Sequence, residues 1–274
     1  MNNDFDSYLR LVENRFDEKA SMVTVSWQGP GYHSRIPEGA RVHAVVPSLK
    51  YALVLLKGSN RALDQRAIDI ISKILPLQEL DSSLPTYGIW PWLLEEPLSK
   101  MSPPDWNWAD FCGGILLLVL KDHSGQIPAS LKGLIREALG HAAWSIFRRN
   151  VLPGYTNICI MGAGIAAATG ECLGEPRLVE YGRRRLQSMV RSTEYHESFE
   201  EYNSPFYTLV ALEELDRILY LVTDSETRRA AEWLHAFGWQ MVADHFHPGS
   251  GQWAGPHSRS YSDLLTEAAA RYLS

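Results

Sequence analysis

Two short segments combine the polar and aromatic side chains that chemistry at a carboxylate requires. Residues 201–207 read Glu-Tyr-Asn-Ser-Pro-Phe-Tyr, and residues 253–261 read Trp-Ala-Gly-Pro-His-Ser-Arg-Ser-Tyr. Arg259 carries a guanidinium that matches a carboxylate in bidentate fashion. Tyr261 follows two residues later, and a neighbouring positive charge lowers the pKa of a phenol and suits it to act as a general base. Arg259 is therefore a candidate to bind a carboxylate, and Tyr261 is a candidate to move a proton in the same cleft if the segment is still irregular at Tyr261.

The same residues also have ordinary structural roles, which the sequence leaves open. Ser204 is a good N-cap, and Pro205 suits the first position of the helix that follows. Asn203 is a residue type that turns favour for backbone reasons alone. Arg259 and Tyr261 could instead tie a loop to the next helix, for which Ser258 is a candidate N-cap. For both segments, a functional site and a purely structural role remain alternatives.

Helices of two kinds alternate along the chain and place these segments at helix starts. Apolar residues at three- and four-residue spacing predict inner helices, apolar on most sides, at 41–57, 107–120, 157–169 and 203–222. Amphipathic outer helices are predicted at 60–75, 128–149, 175–193 and 224–246. A last helix is predicted from about residue 261 to the C-terminus, residues 22–27 resemble a short strand, and 76–106 form a long loop.

The helix pairs recur with a nearly constant period. Asn107, Asn157 and Asn203 stand at the starts of successive inner helices, about 50 and then 46 residues apart. A repeat of this length is an α-hairpin that buries its core against neighbouring hairpins, either stacked in a solenoid or closed into an (α/α) toroid. The long, dissimilar loops before the inner helices favour the toroid, in which helix N-termini surround one mouth and favour an anionic ligand.

The repeat defines the predicted fold class and domain organisation. We expect an all-α protein built of repeated α-hairpins that form an (α/α) toroid. About four to five hairpins are present where six would close the ring, so the toroid is expected to be incomplete. Residues 1–274 are expected to form a single domain, with 1–39 as an N-terminal extension.

Composition and charge argue against several classes of function. The formal net charge is −6 and no dense run of Lys and Arg occurs, which argues against a nucleic-acid surface. The apolar run 113–120 is too short to span a membrane, and the acidic N-terminus lacks a signal-peptide pattern. Three cysteines, an odd number, in or beside apolar helical segments indicate reduced thiols. We therefore expect a cytoplasmic protein without nucleic-acid or membrane partners, and we leave a homo-oligomer open.

The sequence contains no recognisable cofactor signature. There is no Walker loop, and Gly162-x-Gly164 lies inside a predicted helix without a preceding strand, which indicates close helix packing rather than a dinucleotide site. His245 and His247 are a plausible pair of metal ligands only if the helix has ended between them, because on a helix they point apart. We expect no cofactor and no metal.

The hairpin repeat and the segments 201–207 and 253–261 resemble the α/α-toroid carbohydrate-active enzymes. These include the alginate-lyase-like and heparinase-like polysaccharide lyases and the six-hairpin glycosidases. The resemblance covers most of residues 40–274 and is architectural. In lyases of this architecture, an Asn, His or Arg neutralises a uronate carboxylate, and a Tyr or His takes the proton next to it. That proton is too weakly acidic until the carboxylate charge is screened.

For this chain, the resemblance implies cleavage of an acidic poly- or oligosaccharide by β-elimination. It implies catalytic roles for His257, Tyr261 and Tyr202. The substrate-binding residues that it implies lie near inner-helix starts and in the loops: Asn157, His196, Asn203, Arg259, Trp253, Glu201 and Trp90.

Two other functions are compatible with the same architecture. The first is a glycoside hydrolase, which needs two carboxylates facing each other across a cleft. The candidate carboxylates are Asp110, Glu96, Glu200 and Glu201. The second is a non-catalytic helical-repeat protein that binds a partner. An enzyme should bring Tyr202, Asn203, His257, Arg259 and Tyr261 together, whereas a scaffold should scatter them.

Overall fold

A computed structural model describes residues 9, 12–29, 33–58, 60–261 and 264–273 of the chain. Most of these residues are helical, which confirms the predicted helical class. The contacts divide the chain into two compact units, Met1–Arg149 and Asn150–Ser274. The single domain over 1–274, with 1–39 as an extension, stays a prediction.

The first unit begins with a small antiparallel sheet. Its strands are β1 (Phe16–Asp17), β2 (Met22–Ser26) and β3 (Arg41–His43), hydrogen-bonded in that order. Val25 of β2 stands opposite Val42 of β3. The predicted strand at 22–27 is confirmed. The helix predicted from residue 41 begins at Val45 instead, because residues 41–43 pair with β2.

Two helical hairpins complete the first unit. They are α1 (Val45–Lys57) with α2 (Arg61–Ile74), and α3 (Trp108–His123) with α4 (Ala129–Arg149). Helices α1 and α3 also pack on each other, so the apolar helices of the two hairpins are neighbours. Between the hairpins runs the predicted long loop, whose described helical turns are two 3₁₀ segments, Leu75–Leu77 and Leu98–Lys100.

The second unit repeats this arrangement. Its hairpins are α5 (Thr156–Leu173) with α6 (Pro176–His196), and α7 (Tyr207–Leu221) with α8 (Ser225–His245). The inner helices α5 and α7 pack on each other, and so do the outer helices α6 and α8. A two-stranded ribbon, β4 (Phe246–His247) with β5 (Gln252–Trp253), and the short α9 (Glu267–Leu273) follow.

Small residues let the helices of the second unit approach closely. A Cβ added at Gly164 of α5 would lie 2.3 Å from Ile218 Cγ1 of α7, and one added at Gly182 of α6 would lie 2.4 Å from the Ala163 carbonyl oxygen. Gly164 of the Gly162-x-Gly164 pair thus serves helix packing, as predicted. In the described part of the chain, α5 is also the one helix long and apolar enough to cross a membrane, but 83% of it is buried inside the structure, as in the core helix of a globular unit.

The last helix begins later than predicted. Helix α9 starts at Glu267, where the Thr266 hydroxyl accepts a hydrogen bond from the Ala269 amide at 3.2 Å. Ser258 is not a cap. Its amide donates to the Tyr202 carbonyl at 3.0 Å, so this stretch is held as a loop against the loop that precedes α7.

Candidate functional site

The loop before α7 ends in a capped helix start. Ser204 Oγ accepts a hydrogen bond from the Tyr207 amide at 3.0 Å, and the Ser204 carbonyl accepts one from the Thr208 amide at 3.0 Å. Ser204 therefore caps the first turn, as predicted, although the regular helix α7 begins only at Tyr207, after Phe206. Asn203, immediately before it, has a φ of 48°, a left-handed conformation that Asn tolerates better than most residues.

The Asn203 side chain joins this loop to the loop that follows β5. Its Nδ2 donates to the carbonyls of Ala254 at 2.8 Å and Pro256 at 2.9 Å, and its Oδ1 accepts from Trp253 Nε1. Asn203 is fully buried and Trp253 is almost so. These two predicted substrate-binding residues hold the two loops together from inside.

His257 and Tyr202 lie in the same pair of loops but face different partners. His257 Nδ1 is 2.9 Å from the Asn203 carbonyl, which can only accept, so Nδ1 carries a hydrogen and donates it to this carbonyl. The Tyr202 hydroxyl is 3.3 Å from His245 Nε2. His245 Nδ1 donates to the Met241 carbonyl at 2.8 Å, which fixes the orientation of the ring beside Tyr202. Tyr202 thus pairs with the end of α8.

Arg259 is the centre of a second cluster in these loops. Its Nη1 makes an ion pair with Glu201, and its Nη2 donates to the hydroxyls of Tyr207 at 3.2 Å and Tyr261 at 3.4 Å. The guanidinium carbon lies 4.4 Å from the ring centroid of Tyr207 and 5.6 Å from that of Tyr155. Arg259 has a φ of 51°, an uncommon backbone conformation for a non-glycine residue that these contacts help to hold.

Glu201 connects this cluster to the start of α5. Its Oε2 accepts from the Asn157 amide at 3.4 Å, and its own amide donates to Thr156 Oγ1 at 3.3 Å. A carboxylate at a helix N-terminus is stabilised by the helix dipole. The position that the sequence predicts for an anionic ligand is therefore filled by Glu201. Asn157 is buried, and its Oδ1 has no hydrogen-bond partner among the described residues.

The hydroxyls of Tyr207 and Tyr261 are 3.0 Å apart and differ in acidity. Burial and then the hydrogen bond to Tyr261 raise the pKa of Tyr207. The hydrogen bond from Tyr207 and then the one from Arg259 lower the pKa of Tyr261. Burial acts to lower the pKa of Arg259, but the hydrogen bond to Tyr261 and nearby negative charge raise it overall. Tyr261 is therefore the more acidic of the two phenols and ionises first, and its ionised oxygen can then only accept the hydrogen bond from Tyr207.

A groove of about 370 Å³ adjoins Tyr261. Its walls are mostly apolar side chains of α7, α9 and the segment between the loops and α9, with Glu213 as its one carboxylate among the described lining residues. Tyr261 is 66% exposed, whereas Glu201 is buried. Tyr261 is the member of the Arg259 cluster that lines this groove.

Two predicted site residues lie apart from these clusters. Trp90, in the first unit, is fully buried, and its Nε1 donates to the Ile74 carbonyl at 3.2 Å, so its ring packs in the core. Its role in substrate binding stays a prediction. His196 is exposed at the end of α6, where its Nδ1 lies 2.8 Å from the Ser192 carbonyl. In the described residues it makes no contact with Arg259.

Sequence reasoning missed two tyrosines of the Arg259 cluster. Tyr155 directly precedes α5, and Tyr207 lies in the first turn of α7. Both stand at starts of inner helices, so the recurrence of aromatic residues at these starts was a signal that could have identified them. No group of three or more His, Cys, Asp or Glu side chains in the described ranges is placed to hold a metal ion.

Comparison with known proteins identifies the family but not an activity. No curated protein and no solved structure matches the chain. A family model described as "Domain of unknown function (DUF8769)" matches residues 5–271, which is nearly the whole chain. The chain therefore belongs to the DUF8769 family.

Proposed function

We propose that this protein binds an acidic poly- or oligosaccharide and cleaves it by β-elimination, with Tyr261 as the base. The observation that carries the proposal is the tyrosine pair. Two hydroxyls 3.0 Å apart have pKa values displaced in opposite directions, and the more acidic one borders an open groove. Titratable pairs whose environments separate their pKa values are characteristic of acid–base sites.

The proposed reaction needs one base that later acts as an acid. The ionised Tyr261 oxygen takes the proton on the carbon next to the uronate carboxylate. The electron pair of that C–H bond forms a carbon–carbon double bond as the bond to the glycosidic oxygen breaks. The phenol of Tyr261 then returns the proton to the leaving oxygen. The products are an unsaturated uronate and a free hydroxyl, and Tyr261 regains its starting state.

Arg259 and Tyr207 hold the base in its reactive form. Both donate hydrogen bonds to the Tyr261 oxygen, and hydrogen bonds to an ionised group favour that form. Since the positive charge of Arg259 is shared with Glu201, screening of the substrate carboxylate needs further donors. The Arg259 Nε, without a partner among the described residues, is one candidate, and the ring of His257, two residues before it in the same loop, is the other. His257 therefore stays a proposed catalytic residue. Tyr202, whose hydroxyl lies beside His245, also stays a proposed catalytic residue.

We also propose that the hairpins form an incomplete (α/α) toroid. Within each unit the inner helices pack on each other, and in the second unit the outer helices do so as well, as such a ring requires. Cytoplasmic location, a saccharide partner, and the absence of nucleic-acid partners, membrane partners, a cofactor and a metal stay predictions.

A non-catalytic binding protein is the second candidate function. It is favoured by the ion pair between Glu201 and Arg259, which already satisfies the arginine that a substrate carboxylate would otherwise bind. A glycoside hydrolase has less support. Among its candidate carboxylates, Glu96 and Asp110 are buried in the first unit, and Glu201 is committed to its ion pair.

The test is an increase in absorbance near 235 nm, where unsaturated uronates absorb, on incubation with a panel of polyuronates. Tyr261→Phe and His257→Ala should abolish the increase, whereas Tyr195→Phe should not, because Tyr195 is 84% exposed on α6. Circular dichroism confirms that each variant is folded. No increase on any polymer with folded wild-type protein would reject the lyase and favour the binding protein, and release of reducing ends without the absorbance change would favour the hydrolase.

A further inference from the structure

The first unit contains a groove of about 350 Å³ between the loop at 84–87 and the end of α4. Its size falls within the range of small-ligand sites in proteins. Two arginines and two aromatic residues line it, namely Arg148, Arg149, Tyr87 and Trp106.

Among the described residues, the two arginines of this groove have only neutral hydrogen-bond partners. Arg148 Nη1 donates to the Ser82 carbonyl at 3.0 Å, and Arg149 Nη1 donates to Asn107 Oδ1 at 2.5 Å. In the part of the chain that the structure describes, no carboxylate lies within ion-pair distance of either guanidinium. Most of their N–H groups remain available, and guanidinium groups bind carboxylate, sulfate and phosphate oxygens through such pairs.

Aromatic rings place a flat apolar surface beside this charge. The Tyr87 ring lies under Arg148, with 4.4 Å between the guanidinium carbon and the ring centroid, and its hydroxyl is 2.7 Å from His141 Nδ1. The half-buried Trp106 donates its Nε1 hydrogen to the Pro85 carbonyl at 2.8 Å, which orients its ring. A ligand held by the arginines would therefore have an indole to pack against.

The wall of the groove is built in advance of any ligand. Gly88 has a φ of 79°, and a Cβ at this position would lie 2.3 Å from the His141 carbonyl oxygen, so the loop approaches α4 as only glycine allows. Gln78 Nε2 donates to the carbonyls of Gly88 at 2.9 Å and Ala138 at 3.0 Å. A preorganised wall lowers the entropic cost of binding.

We propose that this groove is a binding site for a small ring compound that carries an oxyanion, such as a uronate or a sugar sulfate. Arg148 and Arg149 bind the oxyanion, and Trp106 packs against the ring. Favourable interaction of two basic residues with a helix C-terminus explains their position on α4. It does not account for the groove, the aromatic rings and the lack of carboxylate partners together. The proposal does not depend on the β-elimination proposed above.

The test is calorimetric titration of the full chain at low salt with D-glucuronate, inorganic sulfate and glucose. Wild-type protein should bind the two anions and not glucose. The double variant Arg148→Gln/Arg149→Gln should weaken both by about tenfold or more. The matched control Arg61→Gln/Arg191→Gln removes the same charge from two exposed helical positions. Its dissociation constants for the two anions should stay within about twofold of the wild-type values.

Two further variants, Trp106→Leu and Arg259→Gln, test the role of the ring and the location of the site. Trp106→Leu should weaken glucuronate and leave sulfate unchanged, because only the sugar has a ring to pack on the indole. Thermal unfolding confirms that each variant is folded. The proposal is overturned if wild-type protein binds neither anion, if the double variant binds as wild type does, or if binding persists in the double variant and is lost in Arg259→Gln, which would assign it to the second unit.

Discussion

The arginine of the second unit and the arginines of the first face opposite electrostatic situations. Arg259 is matched by the buried Glu201 and turns its remaining donors toward two tyrosines. Arg148 and Arg149 have only neutral partners among the described residues. A matched arginine acts on its neighbours by changing their pKa values, whereas an unmatched pair at a groove can act on a ligand. The residue type alone does not distinguish these roles, and the partner does.

The two regions are also held in different ways. In the second unit a side chain, Asn203, joins two loops through its amide. In the first unit a missing side chain, at Gly88, lets a loop approach α4. Variants at Gly88, at the ion pairs of Glu201 and Asp224, and at Tyr207 test the comparison.

The largest expected effect is that of Gly88→Ala. The added Cβ would meet the His141 carbonyl oxygen at 2.3 Å in a left-handed backbone conformation, so we expect the free energy of unfolding to fall by about 3 kcal/mol or more. Urea denaturation measures the change. Gly133→Ala is the control. Gly133 lies on α4, the helix that the Gly88 loop approaches, and a Cβ added there meets open space, so the free energy of unfolding should stay unchanged or rise by up to about 1 kcal/mol. Equal effects would show that the close approach is not what shapes the groove.

Glu201→Gln should have the next largest effect. It leaves Arg259 without its carboxylate and removes a charge from the start of α5, so we expect a loss of about 2 kcal/mol in unfolding free energy. The neighbouring Glu200→Gln, at an exposed position, should change it by less than about 0.5 kcal/mol. Equal losses in the two variants would show that the ion pair between Glu201 and Arg259 does not stabilise the fold.

A second matched arginine of the same unit predicts a dependence on pH. Asp224 caps α8 and pairs with Arg183, and this pairing, followed by the hydrogen bonds from Thr227, holds the pKa of Asp224 below its usual 3.8. Because the folded-state pKa is lowered, its stabilising contribution is full above the ordinary value and is lost as the pH falls below it. Asp224→Asn should therefore cost about 1 kcal/mol near neutral pH.

The pH series supplies the control for that prediction. The difference in unfolding free energy between wild type and Asp224→Asn should shrink as the pH falls below about 4. A difference that stays constant down to the acid transition would contradict the pairing of Arg183 with Asp224.

The smallest expected effect on stability comes from Tyr207→Phe, which removes one hydroxyl and should cost about 1 kcal/mol or less. Its effect on acidity should be clear. Because the hydrogen bond from Tyr207 is the main cause of the lowered pKa of Tyr261, that pKa should rise in the variant. Ultraviolet absorbance of the tyrosinate measures it. An unchanged pKa would show that Arg259 acts on Tyr261 alone.

The sequence was most informative where a property repeats. Alternating apolar and amphipathic helices identified eight helices to within a few residues of their observed bounds, and the Ser204 cap followed from local chemistry. The sequence did not predict where α9 begins. Residues 253–261 are held as a loop by backbone hydrogen bonds to a distant loop, such as the one from Ser258 to Tyr202, and no local pattern encodes such bonds.

Site residues were predictable as types but not as partners. Arg259 and Tyr261 were expected to meet, and they do at 3.4 Å. That Glu201 would neutralise Arg259 depends on the packing of two loops 58 residues apart in sequence, and so could not be predicted from spacing. The burial of Trp90 is likewise a tertiary property, because an aromatic loop residue can face a cleft or a core.

The most direct test of the account is the pKa of Tyr261 itself. It is measured as the difference in tyrosinate absorbance between wild type and Tyr261→Phe over a pH titration. The account predicts a midpoint below the ordinary value of 10.0 and a higher midpoint when Arg259→Gln is the background. A midpoint at or above 10.0 in wild type, unmoved by Arg259→Gln, would contradict the claim that the matched arginine prepares Tyr261 as a base.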